Sequence, residues 1–263
     1  IILNENNRYT LNSIGVLKNS GEINNVDFIC PENITFKNEI DYVDTIVSAD
    51  FEKKTFIADI EVNCGIAVGI NFGTIKNVNI KTSNSSNSIK LDYKLDIDYT
   101  ITQTNIKNIN SENYLLIDSF SKELPLTATG NIGLICGDNS YVIDKNDLTG
   151  ITFNVNSFEL VTNGKALPYV KDETFTKNSL NIGLISGRNS LAIIPDSSEF
   201  VGVKNVVIDN STLSINRTKT SENNMSLFES TNAGLISGLS FTSIKNCYVV
   251  ISSVSSIGTS SNS

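Results

Sequence analysis

The sequence predicts an all-β chain, and within that class a parallel β-solenoid. Three observations carry this. One motif of glycine, apolar residues and asparagine returns five times. Helix signals are almost absent, with no long i, i+3, i+4, i+7 apolar stripe. The apolar segments between turns are too short to pair as hairpins.

The repeat is clearest in two stretches. Residues 64–80 read Cys-Gly-Ile-Ala-Val-Gly-Ile-Asn-Phe-Gly-Thr-Ile-Lys-Asn-Val-Asn-Ile, and residues 233–250 align with them without a gap. Gly65 falls on Gly234, Gly69 on Gly238, Ile75 on Ile244 and Asn77 on Asn246. The first half returns at Gly133-Leu134-Ile135-Cys136-Gly137 and at Gly183-Leu184-Ile185-Ser186-Gly187. The second half follows the latter at Gly202–Ile208, and a degenerate copy opens the chain from Ser13 to Val26. The copies start at 13, 65, 133, 183 and 234, so the intervals are 52, 68, 50 and 51 residues. A period near 51 is broken once, by about 16 extra residues between the second and third copies.

Each part of the unit has a physical reading. Gly-Leu-Ile-x-Gly reads as a short apolar strand bracketed by glycines. Asn-x-Gly is turn chemistry, because both residues tolerate positive φ. Ile-Lys-Asn-Val-x-Ile reads as a second strand with Ile and Val inward. Stacked units place Gly65, Gly133, Gly183 and Gly234 at one corner, where a Cβ does not fit. The repeated Asn25, Asn77, Asn205 and Asn246 stack at another, their amides satisfying backbone groups of neighbouring rungs. Taking about 25 residues per coil, with Asn105–Asn110 and Thr212–Ile215 as divergent rungs between motifs, gives about ten coils and a rod of about 45 Å. The extra residues are read as an inserted amphipathic strand near 89–102. Leu91, Tyr93, Leu95, Ile97, Tyr99 and Ile101 alternate there with Asp92, Lys94, Asp96, Asp98 and Thr100. Residues 1–252 form one solenoid domain, and 253–263 read as a Ser-rich tail or linker.

Composition narrows function. The chain has 263 residues, a net charge of −8 and no histidine, which excludes Ser–His and Cys–His catalysis and His-based zinc sites within it. The negative charge argues against nucleic acid, and Lys53-Lys54, diluted by Glu52, is the one adjacent basic pair. No apolar run is long enough to span a bilayer. The absence of Trp weakens sugar-stacking platforms. There are 36 Asn against one Gln, Gln103, a bias that reads partly as AT-rich coding. Cys30, Cys64, Cys136 and Cys247 have no CxxC spacing. They read either as two disulfides of a secreted protein or, preferably, as small buried hydrophobes, since they fall at different positions of the unit.

The candidate chemistry is thin. Asp92, Asp96 and Asp98 share a strand face and could hold Ca²⁺ or line a sugar-cleaving groove, but a solvated face with Lys94 as counter-charge is the simpler reading. Asp144-Lys145-Asn146-Asp147, with Asp138 nearby, has oxygen ligands at loop spacing but lacks the Gly and terminal Glu of a calcium loop. Asn-x-Ser/Thr sequons occur at Asn33, Asn84, Asn210, Asn216 and Asn224. No catalytic residue, cofactor or metal is expected.

The pattern G-[LI]-[IA]-x-G-x-[NS]-x-G-x-I-x-N-[VC] resembles the GLUG repeat of large bacterial surface and secreted proteins, including adhesins and some immunoglobulin-A-cleaving proteases. The resemblance is good in copies two and five, partial in three and four, weak in one, and covers about half of the chain. The spacing differs, since family repeats often run head to tail at about half this period. The resemblance implies a right-handed parallel β-helix, an extracellular or cell-surface location, and no catalytic residues. The expected function is therefore a non-enzymatic stalk, adhesin or filament segment. The alternatives are a carbohydrate-active β-helix lyase or hydrolase, or a module binding a host protein or glycan. Neither Ile1-Ile2-Leu3 nor Tyr248–Ile251 looks capped, so neighbouring chain segments or subunits are expected to stack on both ends.

Overall fold

The computed structural model describes residues 7–47, 58–83, 85–104, 126–165, 175–190, 199–217, 230–250 and 252–258. Every regular element among them is a β-strand, and every strand pairing is parallel.

One sheet stacks β1 (Asn7–Asn12), β5 (Ala58–Gly65), β9 (Leu126–Gly133), β14 (Phe175–Gly183) and β19 (Ser230–Gly234). A second stacks β2 (Val16–Asn19), β6 (Val68–Asn71), β10 (Cys136–Asn139), β15 (Ser186–Asn189) and β20 (Ser237–Ser240). A third holds β3 (Glu22–Cys30), β7 (Thr74–Thr82), β11 (Val142–Asp144), β16 (Gly202–Lys204) and β21 (Ser243–Lys245). A three-stranded sheet follows it with β12 (Asp147–Thr149), β17 (Val207–Asp209) and β22 (Tyr248–Val250). The last sheet holds β4 (Asn33–Val47), β8 (Ser88–Thr104), β13 (Thr152–Lys165), β18 (Thr212–Arg217) and β23 (Ser253–Gly258). This arrangement is compatible with a parallel β-helix or solenoid.

The register follows the sequence repeat. Gly65 pairs with Gly133, Gly133 with Gly183, and Gly183 with Gly234, so the motif glycines share one column as expected. Each unit contributes one strand to each five-stranded sheet. The expected ten coils of about 25 residues are therefore replaced, among the described strands, by five rungs of about 51. Thr212–Ile215 is not a rung of its own but part of β18, and Asn105–Asn110 lies outside the described residues. A turn closes over about 51 residues rather than 25 because each unit passes through four or five sheets before it returns to the first.

Three further expectations are corrected. The strand near 89–102 is no insertion. It is β8, flanked in register by β4 and β13 as the second unit's regular rung. The extra length falls in the Thr82–Ser88 connection and in 105–125, outside the described residues. Ser253–Gly258, expected to begin a tail, is β23 and pairs with β18, because backbone pairing needs few apolar side chains and Val254 and Ile257 are the two it has. Gly-Leu-Ile is a corner rather than a strand, with Gly133 ending β9 and Cys136 starting β10.

The core consists of columns of like residues. Ile75, Ile143 and Val203 form one, Leu91, Val155 and Ile215 another, and all are buried. Ile89, Leu91 and Tyr93 of β8 face inward, as their alternation predicts. Complete burial of such a side chain stabilises by about 1.5–3 kcal/mol, and each column repeats the gain at every interior rung.

Candidate functional site

The column of Asn25, Asn77, Asn205 and Asn246 exists, with Lys145 completing it at the third rung, and all five residues have φ between 50° and 57°. Left-handed backbone is most accessible to Asn among non-glycine residues, which explains the repeated choice. The kink also resets the inward face. Ile75, Val78 and Ile80 are buried, a spacing of three then two that a regular strand does not give. The Asn amides bond to side chains rather than to neighbouring backbone. Asn77 Nδ2 donates to Asn25 Oδ1 at 3.0 Å, and Asn246 Nδ2 to Asn205 Oδ1 at 3.4 Å.

Two interior asparagine ladders were not foreseen. In one, Asn19 Nδ2 donates to Asn71 at 2.8 Å, Asn71 to Asn139 at 2.7 Å, Asn139 to Asn189 at 3.2 Å, and Asn189 to Ser240 Oγ at 3.3 Å. Here Asn-x-Gly turns by a different device than positive φ. The Asn side chain accepts the amide two residues on, as from Gly73 N to Asn71 Oδ1 at 3.1 Å. In the other ladder donation runs the opposite way, from Asn232 to Asn181, Asn131 and Asn63, each step 2.8 Å. The sequence signal was available as an Asn two residues before each of the four aligned glycines, Gly65, Gly133, Gly183 and Gly234.

At its lower end this ladder meets a half-buried ion cluster. Asn63 Nδ2 donates to Glu61 Oε1 at 2.8 Å, and Arg188 Nη2 reaches the same oxygen at 2.8 Å. Arg188 also grips Asp138 with two nitrogens, Nη2 at 2.7 Å and Nε at 3.2 Å, and Ser190 Oγ donates to Asp138 Oδ2 at 3.1 Å. Burial opposes the guanidinium charge, but Asp138 and then Glu61 outweigh it and hold the Arg188 pKa above its ordinary value. Asp138 and Arg188 are register partners on adjacent rungs, so the copies Gly-Asp-Asn and Gly-Arg-Asn carried this pair in plain sequence. The two sheets meet closely here. A Cβ on Gly137 would lie 2.5 Å from the Cys64 backbone nitrogen, and one on Gly187 2.2 Å from that of Ile132.

The other candidate residues are placed as follows. Asp92 accepts from Asn156 Nδ2 at 3.0 Å. Asp96 and Asp98 lie on β8 beside Glu39 and Asp41 of β4 in register, with their side chains outside the described residues. Asp144 accepts from Asn205 at 2.7 Å and faces Lys204 at 3.9 Å, while Asn146 is buried with its Oδ1 on the Val78 amide at 2.8 Å. Asp138 is held by Arg188, not by that turn. Among the described residues no three His, Cys, Asp or Glu side chains gather at metal-binding distance. Lys53-Lys54, Asn84 and Asn224 lie outside the described residues; Asn33 and Asn210 are exposed and Asn216 half-buried.

All four cysteines are free thiols, which decides against the two disulfides. Burial pushes the Cys30 thiol up to about 11 and raises Cys64 and Cys136 well above the ordinary thiol range. Cys136 donates its S–H to the Asp138 carbonyl at 3.0 Å. Cys30, Cys64 and Cys136 behave as small buried hydrophobes, while Cys247 is half-buried.

The end rungs differ from the middle. Ile244, Val249 and Val254 of the fifth rung are 42–45% exposed, although their column neighbours Val203, Ile208 and Leu213 are fully buried. At the other end Ile14, Val16 and Leu17 are exposed. Compared with protein-family models, curated proteins and solved structures, the chain matches none.

Proposed function

We propose that this chain is a non-enzymatic structural segment of a surface or secreted protein, folded as a right-handed parallel β-helix of five coils. One observation carries the reading: the residues that recur in the sequence stack on one another, rung after rung. The polar side chains inside, Asn63, Asn71, Asn131, Asn139, Asp138 and Arg188 among them, are committed to neighbouring rungs. Such a lattice holds its own shape. The surface location and the handedness rest on the motif's resemblance to the GLUG repeat.

The dimensions favour a building block over a long rod. Five rungs at about 4.8 Å make a stack of about 20 Å, whereas a strand of β8's length spans about 55 Å. A layer wider than it is tall spans distance only when layered on others. The experiment incubates the purified chain with a panel of acidic and neutral polysaccharides, beside surface proteolysis of intact source cells. No change in polymer length, and release of the chain by the protease, are expected. Depolymerisation that is lost in Asp96→Ala would replace this reading with a carbohydrate-active one.

A further inference from the structure

We propose that the fifth rung is a docking face for a second copy of this chain, which seats its first rung there head to tail and in the native register. The inference rests on the structural reading above and adds the partner and its orientation.

The first argument is continuity. Every interior joint in the molecule pairs one rung's C-terminal edge with the next rung's N-terminal edge, column on column. The fifth rung presents that same edge, with Ile244, Val249 and Val254 exposed over columns that are buried one rung below. Among the described residues no strand pairs with the outer edges of β19 to β23, and an unpaired edge recruits another strand. The first rung presents the complementary edge from the same repeat, with Ile14 and Val16 exposed in columns where Ile66 and Val68 are buried.

The second argument is hydrogen-bond polarity. Along the interior ladder of Asn19, Asn71, Asn139 and Asn189 each Asn donates towards the C-terminal rung, so Ser240, which now donates to the Thr242 carbonyl at 3.1 Å, occupies the donor position for the next copy's Asn19. Along the outer ladder donation runs the other way, so the next copy's Asn25 occupies the donor position for Asn246. These two ladders continue across a head-to-tail joint without reversal, while the ladder of Asn63, Asn131, Asn181 and Asn232 ends there, because Leu11 holds its column on the first rung.

The third argument is charge and symmetry. From residue 230 to 258 the only charged residue is Lys245, which is exposed, while the first rung carries Glu22 and Asp27 on its exposed surface. In native register Glu22 of the incoming copy lies two columns from Lys245 on the adjacent rung, the lateral offset at which Lys81 already pairs with Asp27. A two-fold, tail-to-tail dimer reverses strand direction and can align at most one of the sheets. A translation along the stack aligns them all, and such a joint stays open to further copies.

Sedimentation velocity on the 263-residue chain from about 1 to 200 µM tests this. A ladder of masses above 28.6 kDa is expected. Ile244→Lys with Val249→Lys blocks one face, and Ile14→Lys blocks the other. Each variant alone should remain monomeric, and an equal mixture should form a one-to-one dimer. Dimerisation of Ile14→Lys by itself would show tail-to-tail pairing and overturn the proposal, as would a wild-type mass fixed at the monomer. If a variant fails to fold, the wild-type thiols decide. Cys247 lies in the column of the buried Val78 and Val206, so its alkylation should slow about tenfold or more over the associating range while Cys64 stays unreactive. A Cys247 rate independent of concentration refutes the joint. A strictly monomeric but inert and folded chain would sink this inference alone, whereas polymer cleavage would sink the structural reading.

Discussion

Asn131 sits at the centre of an interior ladder, accepting from Asn181 and donating to Asn63, and it is wholly inaccessible to solvent. Replacing it with Leu leaves a buried donor on one side and a buried acceptor on the other, at about 1–3 kcal/mol each. Asn131→Leu should therefore lose about 2–4 kcal/mol by urea denaturation, although it adds apolar volume. Asn77 differs, with a positive φ at a half-buried position. Asn77→Gly should stay within about 1 kcal/mol of wild type, while Asn77→Val, which must hold a β-branched residue in left-handed backbone, should lose about 1–3 kcal/mol. Cys30 sets a pH dependence. Burial raises its pKa from 9.0 to about 11, so the neutral thiol favours the folded state below the unfolded value. That contribution is lost as pH rises from about 9 through 11. Unfolding free energies measured across this window should fall more steeply in wild type than in Cys30→Ala.

Where the first two sheets meet, the glycines of β10 and β15 set the approach distance. Gly187→Ala brings a Cβ to 2.2 Å from the Ile132 nitrogen, and backbone on that side cannot give way without opening a sheet. A loss above about 2 kcal/mol is expected. Gly21→Ala meets nothing within 4 Å and should be neutral or slightly stabilising. The pair of melting curves checks whether the glycines of this motif are conformational or steric in purpose. The ion cluster ties the same sheets together. Arg188→Leu leaves the Asp138 carboxylate, only 3% exposed, without its partner, and should cost about 3–5 kcal/mol. Adding Asp138→Leu should recover much of that loss, a double-mutant result that an exposed surface pair would not produce.

At the scale of the whole molecule, stability is shared between neighbouring rungs, as in other repeat architectures. The middle unit is covered on both faces and the end units on one. Amide exchange should be slowest in Ile143 and Val155 of the third unit and markedly faster in Val249 and Val254, with protection at the last two rising once copies associate. Uniform protection from first rung to fifth in the monomer would show that the ends are covered.

Much of this was legible in the sequence because a stack of parallel strands in register is built from local repetition. Aligning five copies was enough to place Gly65, Gly133, Gly183 and Gly234 in one column and the positive-φ asparagines in another. The inward face of β8 followed from simple alternation. The length of a turn was not legible, since period alone does not say how many strands close one circuit; only the pairing of β4, β8 and β13 showed that 51 residues make a single rung. Nor was the use of the interior polar groups. That Asp138 lies beside Arg188 follows from the repeat, but that Glu61 joins them depends on two sheets meeting at a glycine-lined contact. By itself the sequence determined what stacks on what, because identical positions seek identical neighbours. The tertiary structure decided what faces what across the interior, because that depends on the angle at which the sheets turn their corners.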